Sequence, residues 1–248
     1  MASKIKFVPL TDVTKNELAG SLFITGFHGF GLVGYLTTLH IVQELGLRKI
    51  GFIRTNYIPE VTMYTKSGDI QYPFEIYYGV VGKNKLVVAL HNDMPIDRER
   101  VAYVEFLAKL VKDWGVREAI LIGGLNQELR EDPSEKFRWI PINTPFITFN
   151  DARILEGRYV IGALALLMMF LRAYGVNGVV ILPFAEPRRP DPRASAIAVD
   201  VIAKVLGVEI SVQRLIEEAS IIEAIEAERE KVERAMEEAE KRSRLSYI

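Results

Sequence analysis

Short apolar runs alternate with helically spaced segments along this chain. Ser21–Thr25 is apolar and closes at Gly26, as a buried strand does. A Gly-rich stretch, 26–31, follows. Leu32, Tyr35, Leu36, Leu39 and Val42 then recur at helical spacing until Gly46 stops them. Lys49–Thr55 predicts a second strand, so the opening is a strand–helix–strand unit, the building block of a parallel sheet. Between 60 and 91 the pattern changes. Val61–Thr65, Phe74–Val81 and Lys85–Leu90 predict strands, separated by turns at Lys66–Gly68 and Gly82–Asn84, so the sheet is mixed or carries a β excursion.

Parallel logic then returns. Asp97–Trp114 predicts an amphipathic helix with Val101, Val104, Leu107, Ala108 and Val111 on one face, a cap at Asp97 and a stop at Gly115. Ala119–Ile122 is a strand opening into Gly123-Gly124. Residues 125–145 are polar and contain prolines, so they predict a loop over the carboxyl edge of the sheet, with a short strand at Phe146–Phe149. Ile161–Tyr174 is an apolar helix expected in the core, and Gly178–Leu182 another strand. Asp191 caps a last core helix with Pro192 in its first turn, and Gly207 ends it. The sum is a three-layer α/β/α sandwich with a mixed, mostly parallel sheet.

From Val212 to Arg244 there is neither Gly nor Pro, and Ala, Glu, Lys and Arg dominate. Ile222, Ile225, Arg229, Val232, Met236 and Ala239 follow a heptad-like 3-4-3-4-3 spacing. A helix of roughly thirty residues is about 45 Å long, more than one such domain covers, so part of it projects or packs on another subunit. The organisation expected is a core over 1–210, a helical extension over 211–244 and a tail over 245–248.

A net charge of -1 argues against a general nucleic-acid binder. The absence of cysteine excludes disulfides, thiol nucleophiles and thiolate metal sites, and fits a cytoplasmic protein. The start of the chain has no signal-peptide core, and the longest apolar stretch, 160–171, is too short to span a bilayer.

Catalytic patterns are weak. Gly29-Phe-Gly31-Leu-Val-Gly34 has the GxGxxG form after a strand and before a helix, but no acid stands at the end of the second strand to hold a ribose. A tight, closely packed turn is the favoured account. The alternative is a nucleoside- or phosphate-binding enzyme of phosphorylase-like fold using Gly29, Gly31, Gly34, Gly123, Gly124 and Glu186. No GxxxxGK[ST] loop and no GxSxG elbow occurs, and His28, His40 and His91 lack metal-ligand spacing. His91, Asp93 and Asp97 follow a strand, where a local structural role is favoured over acid–base chemistry. No catalytic residue, metal or cofactor is expected. After the charged helix, Leu245-Ser246-Tyr247-Ile248 is apolar and aromatic, as a recognition peptide would be.

Thr25–Gly34, Ile58-Pro-Glu60, Leu121–Gly124, Gly157–Gly162 with its Leu-rich helix, and Glu186–Ala194 resemble, in order, segments of the proteasome assembly chaperone family in its archaeal branch. The resemblance covers about residues 15–207. It implies a phosphorylase/hydrolase-like core without catalysis, an archaeal homo-oligomer (a tetramer slightly favoured), and work on proteasome α-rings. Such proteins often end in hydrophobic–Tyr–any. Tyr247 and Ile248 match the last two positions, and Ser246 stands where the hydrophobic residue is expected. Leu245–Ile248 are therefore the expected proteasome contact. Ile222, Ile225, Val232 and Met236 are the expected coiled-coil contact between copies.

Overall fold

The structure is a computed structural model that describes residues 5–66 and 68–245, with side chains described as far as Glu228 and at Lys231. The elements run β1 (Lys6–Pro9), α1 (Lys15–Leu18), β2 (Leu22–Gly26), α2 (Val33–Glu44), β3 (Arg48–Arg54), β4 (Phe74–Val81), β5 (Asn84–His91), α3 (Asp97–Asp113), β6 (Glu118–Ile122), β7 (Leu125–Asn126), β8 (Phe137–Ile142), α4 (Gly162–Ala173), β9 (Gly178–Ala185), α5 (Pro192–Leu206) and α6 (Gln213–Leu245). They form a nine-stranded mixed sheet in the order β1-β3-β4-β5-β2-β6-β9-β7, with β8 on β9.

The centre, β5-β2-β6-β9, is parallel. β2, β6 and β9 are buried along their whole length, which is why, apart from Thr25 and Glu118, they read as apolar runs. One apolar layer, including Leu107, Leu167 and Val180, lies under α3 and α4; the other, including Ile41, Val199 and Ile202, lies under α2 and α5. The three-layer expectation holds.

Several local expectations do not. The strand after α2 is not the neighbour of β2: β3 runs parallel to it, with β4 and β5 inserted between them. Val61–Thr65 is not a strand. Only a single bridge, Tyr64 to Ile70, forms there, and Val61, Met63 and Tyr64 are exposed, because the segment has no sheet face to lie on. Residues 125–145 are not all loop, since they contain β8, while Phe146–Phe149 is irregular. The Phe149 ring is nevertheless fixed, packing edge-on against Phe137 and Trp139. The N-cap of α3 is Ile96, and Asp97 sits inside the first turn paired with Arg100. Val101 is exposed and Tyr103 takes its place inside. Helix α4 is not a fully buried helix. Ala163, Leu167 and Leu171 face the sheet, while Ile161 and Met169 are 73% and 58% exposed, because an outer-layer helix has only one face to bury.

The ends of α5 do follow local chemistry as expected. Asp191 Oδ1 accepts from the Ala194 amide at 2.9 Å and caps α5, whose first residue is Pro192, and Gly207 closes it at φ 67°.

Candidate functional site: the carboxyl-edge cleft and the C-terminal helix

β2 and β6 are neighbours whose outgoing connections leave in opposite directions, β2 through α2 toward β3 and β6 through α4 toward β9. In open α/β sheets such a switch point leaves a crevice at the strands' carboxyl ends. A cleft of about 450 Å³ lies there. Phe27–Phe30 after β2, Ile122–Leu125 after β6, Met94 and Arg100 from the β5–α3 side, and Tyr159–Leu164 around the start of α4 line it.

The glycine turn divides into packing and lining positions. Gly26 and Gly34 bring β2 and α2 into backbone contact: a Cβ on Gly26 would lie 2.4 Å from the Gly34 Cα. A Cβ on Gly34 would meet the Ile122 and Phe27 carbonyl oxygens at 2.7 Å each. Gly31 has φ 62° and lies against Ala185 and Asp191, and its carbonyl accepts from the Asp191 amide at 2.8 Å. Protein atoms thus fill the space that a pyrophosphate would need at Gly31 and Gly34. Gly29 alone of the three has nothing within 4 Å of an added Cβ, and it borders the cleft.

Gly123 and Gly124 also border the cleft. They interrupt one continuous strand: β7 keeps on β9 the register that β6 began, Ile122 opposite Ile181 and Leu125 opposite Phe184. A Cβ on Gly124 would sit 2.2 Å from the Phe30 carbonyl oxygen, so this gap lets the turn backbone cross the strand. Glu186 is outside the cleft. Its Oε2 accepts from Gln127 Nε2 at 2.8 Å and its amide donates to Asp191 Oδ2 at 2.9 Å, so it locks the loop leading to α5.

His91 is fully buried behind the cleft. Its Nδ1 donates to the Gly26 carbonyl at 3.1 Å, and its Nε2 accepts from the Tyr103 hydroxyl at 2.8 Å. Burial lowers its pKa to about 3, with a small further push from His28. A neutral imidazole with both nitrogens occupied, tilted 39° against Phe27 with ring centroids 4.2 Å apart, is a structural group. His28 Nε2 donates to the His91 carbonyl at 3.0 Å. Among the described residues no cluster of His, Asp or Glu could hold a metal, and no helix is long and apolar enough to cross a membrane. Sequence patterns missed Arg100, Tyr159 and Ile161 as cleft residues. The apolar stretch Tyr159–Ile161 just ahead of a helix was the one available signal.

Helix α6 packs on α5 through buried Leu215 and Ala219 and the pair Arg193–Glu223 at 2.5 Å, and on the loop ahead of α5 through Arg189–Glu226 at 3.0 Å. Of the expected coiled-coil positions, Ile222 is half-buried and Ile225 is 63% exposed, with Ile221 also exposed one turn away. Val232, Met236 and Leu245 have side chains outside the described set, and Ser246, Tyr247 and Ile248 lie outside the described residues.

The fold is similar to that of Pyrococcus furiosus PbaB, an archaeal proteasome activator, with a TM-score of 0.74 and 20% identity over 91% of this chain and 98% of that one. P. furiosus PbaA, an archaeal homolog of proteasome-assembly chaperone, superposes with a TM-score of 0.72 and 22% identity over 90% of this chain and 93% of that one. A Methanocaldococcus jannaschii protein with no assigned function is 26% identical over 226 residues, 90% of each chain. Residues 23–230 match the PAC2 family. The chain belongs to the PAC2 family.

Proposed function

We propose that this chain is an ATP-independent proteasome-binding protein, an assembly chaperone or activator, that docks Leu245–Ile248 on the proteasome α-ring. The carrying observation is the reach of α6. Its last described tie to the body is Arg189–Glu226. The helix continues over residues 227–245, roughly 28 Å further at about 1.5 Å per residue. Such a helix can hold Tyr247 well away from the body that carries it.

Support also comes from the company the fold keeps. PbaB and PbaA, the one a proteasome activator and the other a homolog of an assembly chaperone, are built on the same body. Nothing in the mechanism asks for nucleotide hydrolysis, and the sequence has no phosphate loop.

In this mechanism several copies associate through the exposed Ile221 and Ile225 side of α6 and its continuation at Val232 and Met236. Each copy offers its Tyr247 to a pocket between α-subunits. One tail binds weakly, and several on one oligomer gain about 10²–10⁴ in avidity when spacing permits. A phosphorylase-like enzyme holding a nucleoside or phosphate on the Gly29–Gly34 turn is disfavoured, because Gly31 and Gly34 are packed by protein atoms. A pull-down of proteasome α-rings by the full chain and by a chain lacking Ser246–Ile248 tests the proposal. Retention that is lost on deletion supports it, and equal retention defeats it.

A further inference from the structure

We propose that the cleft at the carboxyl ends of β2 and β6 binds a small carboxylate with an apolar body, Arg100 taking the head group and the cleft walls taking the body. The assignment is independent of proteasome docking. The cleft, about 450 Å³, lies within the range of roughly 300–1,000 Å³ typical of small-molecule sites. It also occupies the place where open α/β sheets hold their ligands.

The walls set the ligand's chemistry. Phe27, Phe30, Met94, Leu155, Leu164 and Leu182 supply an apolar lining, and among the described residues no acidic one lines the cleft. Arg100 is the one fixed charge among the lining residues. One guanidinium nitrogen pairs with Asp97, whose side chain is 91% exposed and therefore well hydrated. Its Nε is buried and has no hydrogen-bond partner among the described residues. A guanidinium has five N–H donors, so Arg100 can take a carboxylate without giving up Asp97.

The backbone leans the same way. The twelve-residue α4 begins at the cleft with Ile161 as its N-cap, and among the described residues no side chain caps it. Gly162, Ala163 and Leu164, which carry its first-turn amides, line the cleft. The polar complement thus includes the Arg100 guanidinium and these amides as donors, with His28 and Tyr159 beside them. A free phosphate would leave apolar walls uncovered, and a nucleoside would put ribose hydroxyls and base edges against them without partners. An anionic head on a hydrocarbon or aryl body matches both parts.

Calorimetric titration of the purified full chain with octanoate, octanol, phenylbutyrate, adenosine and inorganic phosphate tests the assignment. Octanoate and phenylbutyrate are expected to bind at least ten times more tightly than octanol. Arg100→Gln should bring octanoate down to the level of octanol, and Arg100→Lys should restore part of the difference. Gly29→Leu places a side chain in the open space at the cleft and should abolish binding without lowering the melting temperature. The assignment is overturned by no carboxylate binding, by equal binding of octanoate and octanol, by carboxylate binding that survives Gly29→Leu, or by adenosine or phosphate binding in place of the carboxylates.

Discussion

Gly34→Ala and Gly29→Ala, two changes within one GxGxxG pattern, should have opposite effects on stability. A Cβ on Gly34 meets three backbone atoms at once, the Ile122 and Phe27 carbonyl oxygens and the Phe27 amide nitrogen, at 2.7–2.8 Å. Backbone on β6 and on the turn after β2 cannot rotate aside, so the cost lies near the upper end of overpacking, about 3 kcal/mol. Alanine's better helix propensity near the start of α2 returns at most about 1 kcal/mol. The net loss of about 2 kcal/mol lowers Tm by about 4–8 °C in a chain of this size. Gly29 has φ −155°, which any residue adopts, and an added Cβ meets nothing within 4 Å. Alanine there narrows the unfolded ensemble and gains between zero and about 1 kcal/mol, so Tm stays or rises by up to about 4 °C. Thermal unfolding by circular dichroism reads both. A wild-type Tm for Gly34→Ala, or an equal loss for Gly29→Ala, would refute the account of the turn as a packing device.

Two further outcomes follow from the same geometry. His91 is held neutral with a pKa near 3, while the unfolded chain binds a proton near pH 6.5, so stability is complete above that pH and is lost as pH falls. About 2 kcal/mol should disappear between pH 6.5 and 5, and His91→Gln should flatten this segment of the Tm–pH curve; a native curve already flat there contradicts the buried neutral imidazole. Ile225→Asp combined with Val232→Asp should lower the mass measured by light scattering, since Ile225 is 63% exposed beside exposed Ile221; an unchanged mass removes α6 from the contact between copies.

The alternation of layers was legible because central parallel strands are largely apolar on both faces, as β2, β6 and β9 are apart from Thr25 and Glu118. Helix ends were legible where one residue does the work, as at Asp191, Gly46 and Gly207. β8 was hidden because its sequence includes Pro141 and a buried Arg138 whose partners, Glu131 and Glu135, lie just upstream. Val61–Thr65 has a strand's side chains but no neighbouring strand of any length, which sequence pattern alone does not reveal. The glycine turn was found, and its favoured account as close packing agrees with what surrounds Gly26, Gly31 and Gly34. The pattern could not separate that account from a cofactor turn, since both need glycine; the difference is which atoms stand where a Cβ would go. The cleft left almost no local trace, because its walls come from segments as far apart as Phe27 and Leu182.

The most direct test of proteasome docking is the equilibrium binding of purified α-rings to the immobilised full chain, to a chain lacking Ser246–Ile248, and to an isolated peptide of residues 240–248. Tight binding by the full chain, none by the shortened one, and peptide binding about 10²–10⁴ weaker than the full chain is the predicted result. A shortened chain that binds α-rings as tightly as the full one would contradict the claim that Tyr247 and its neighbours make the contact.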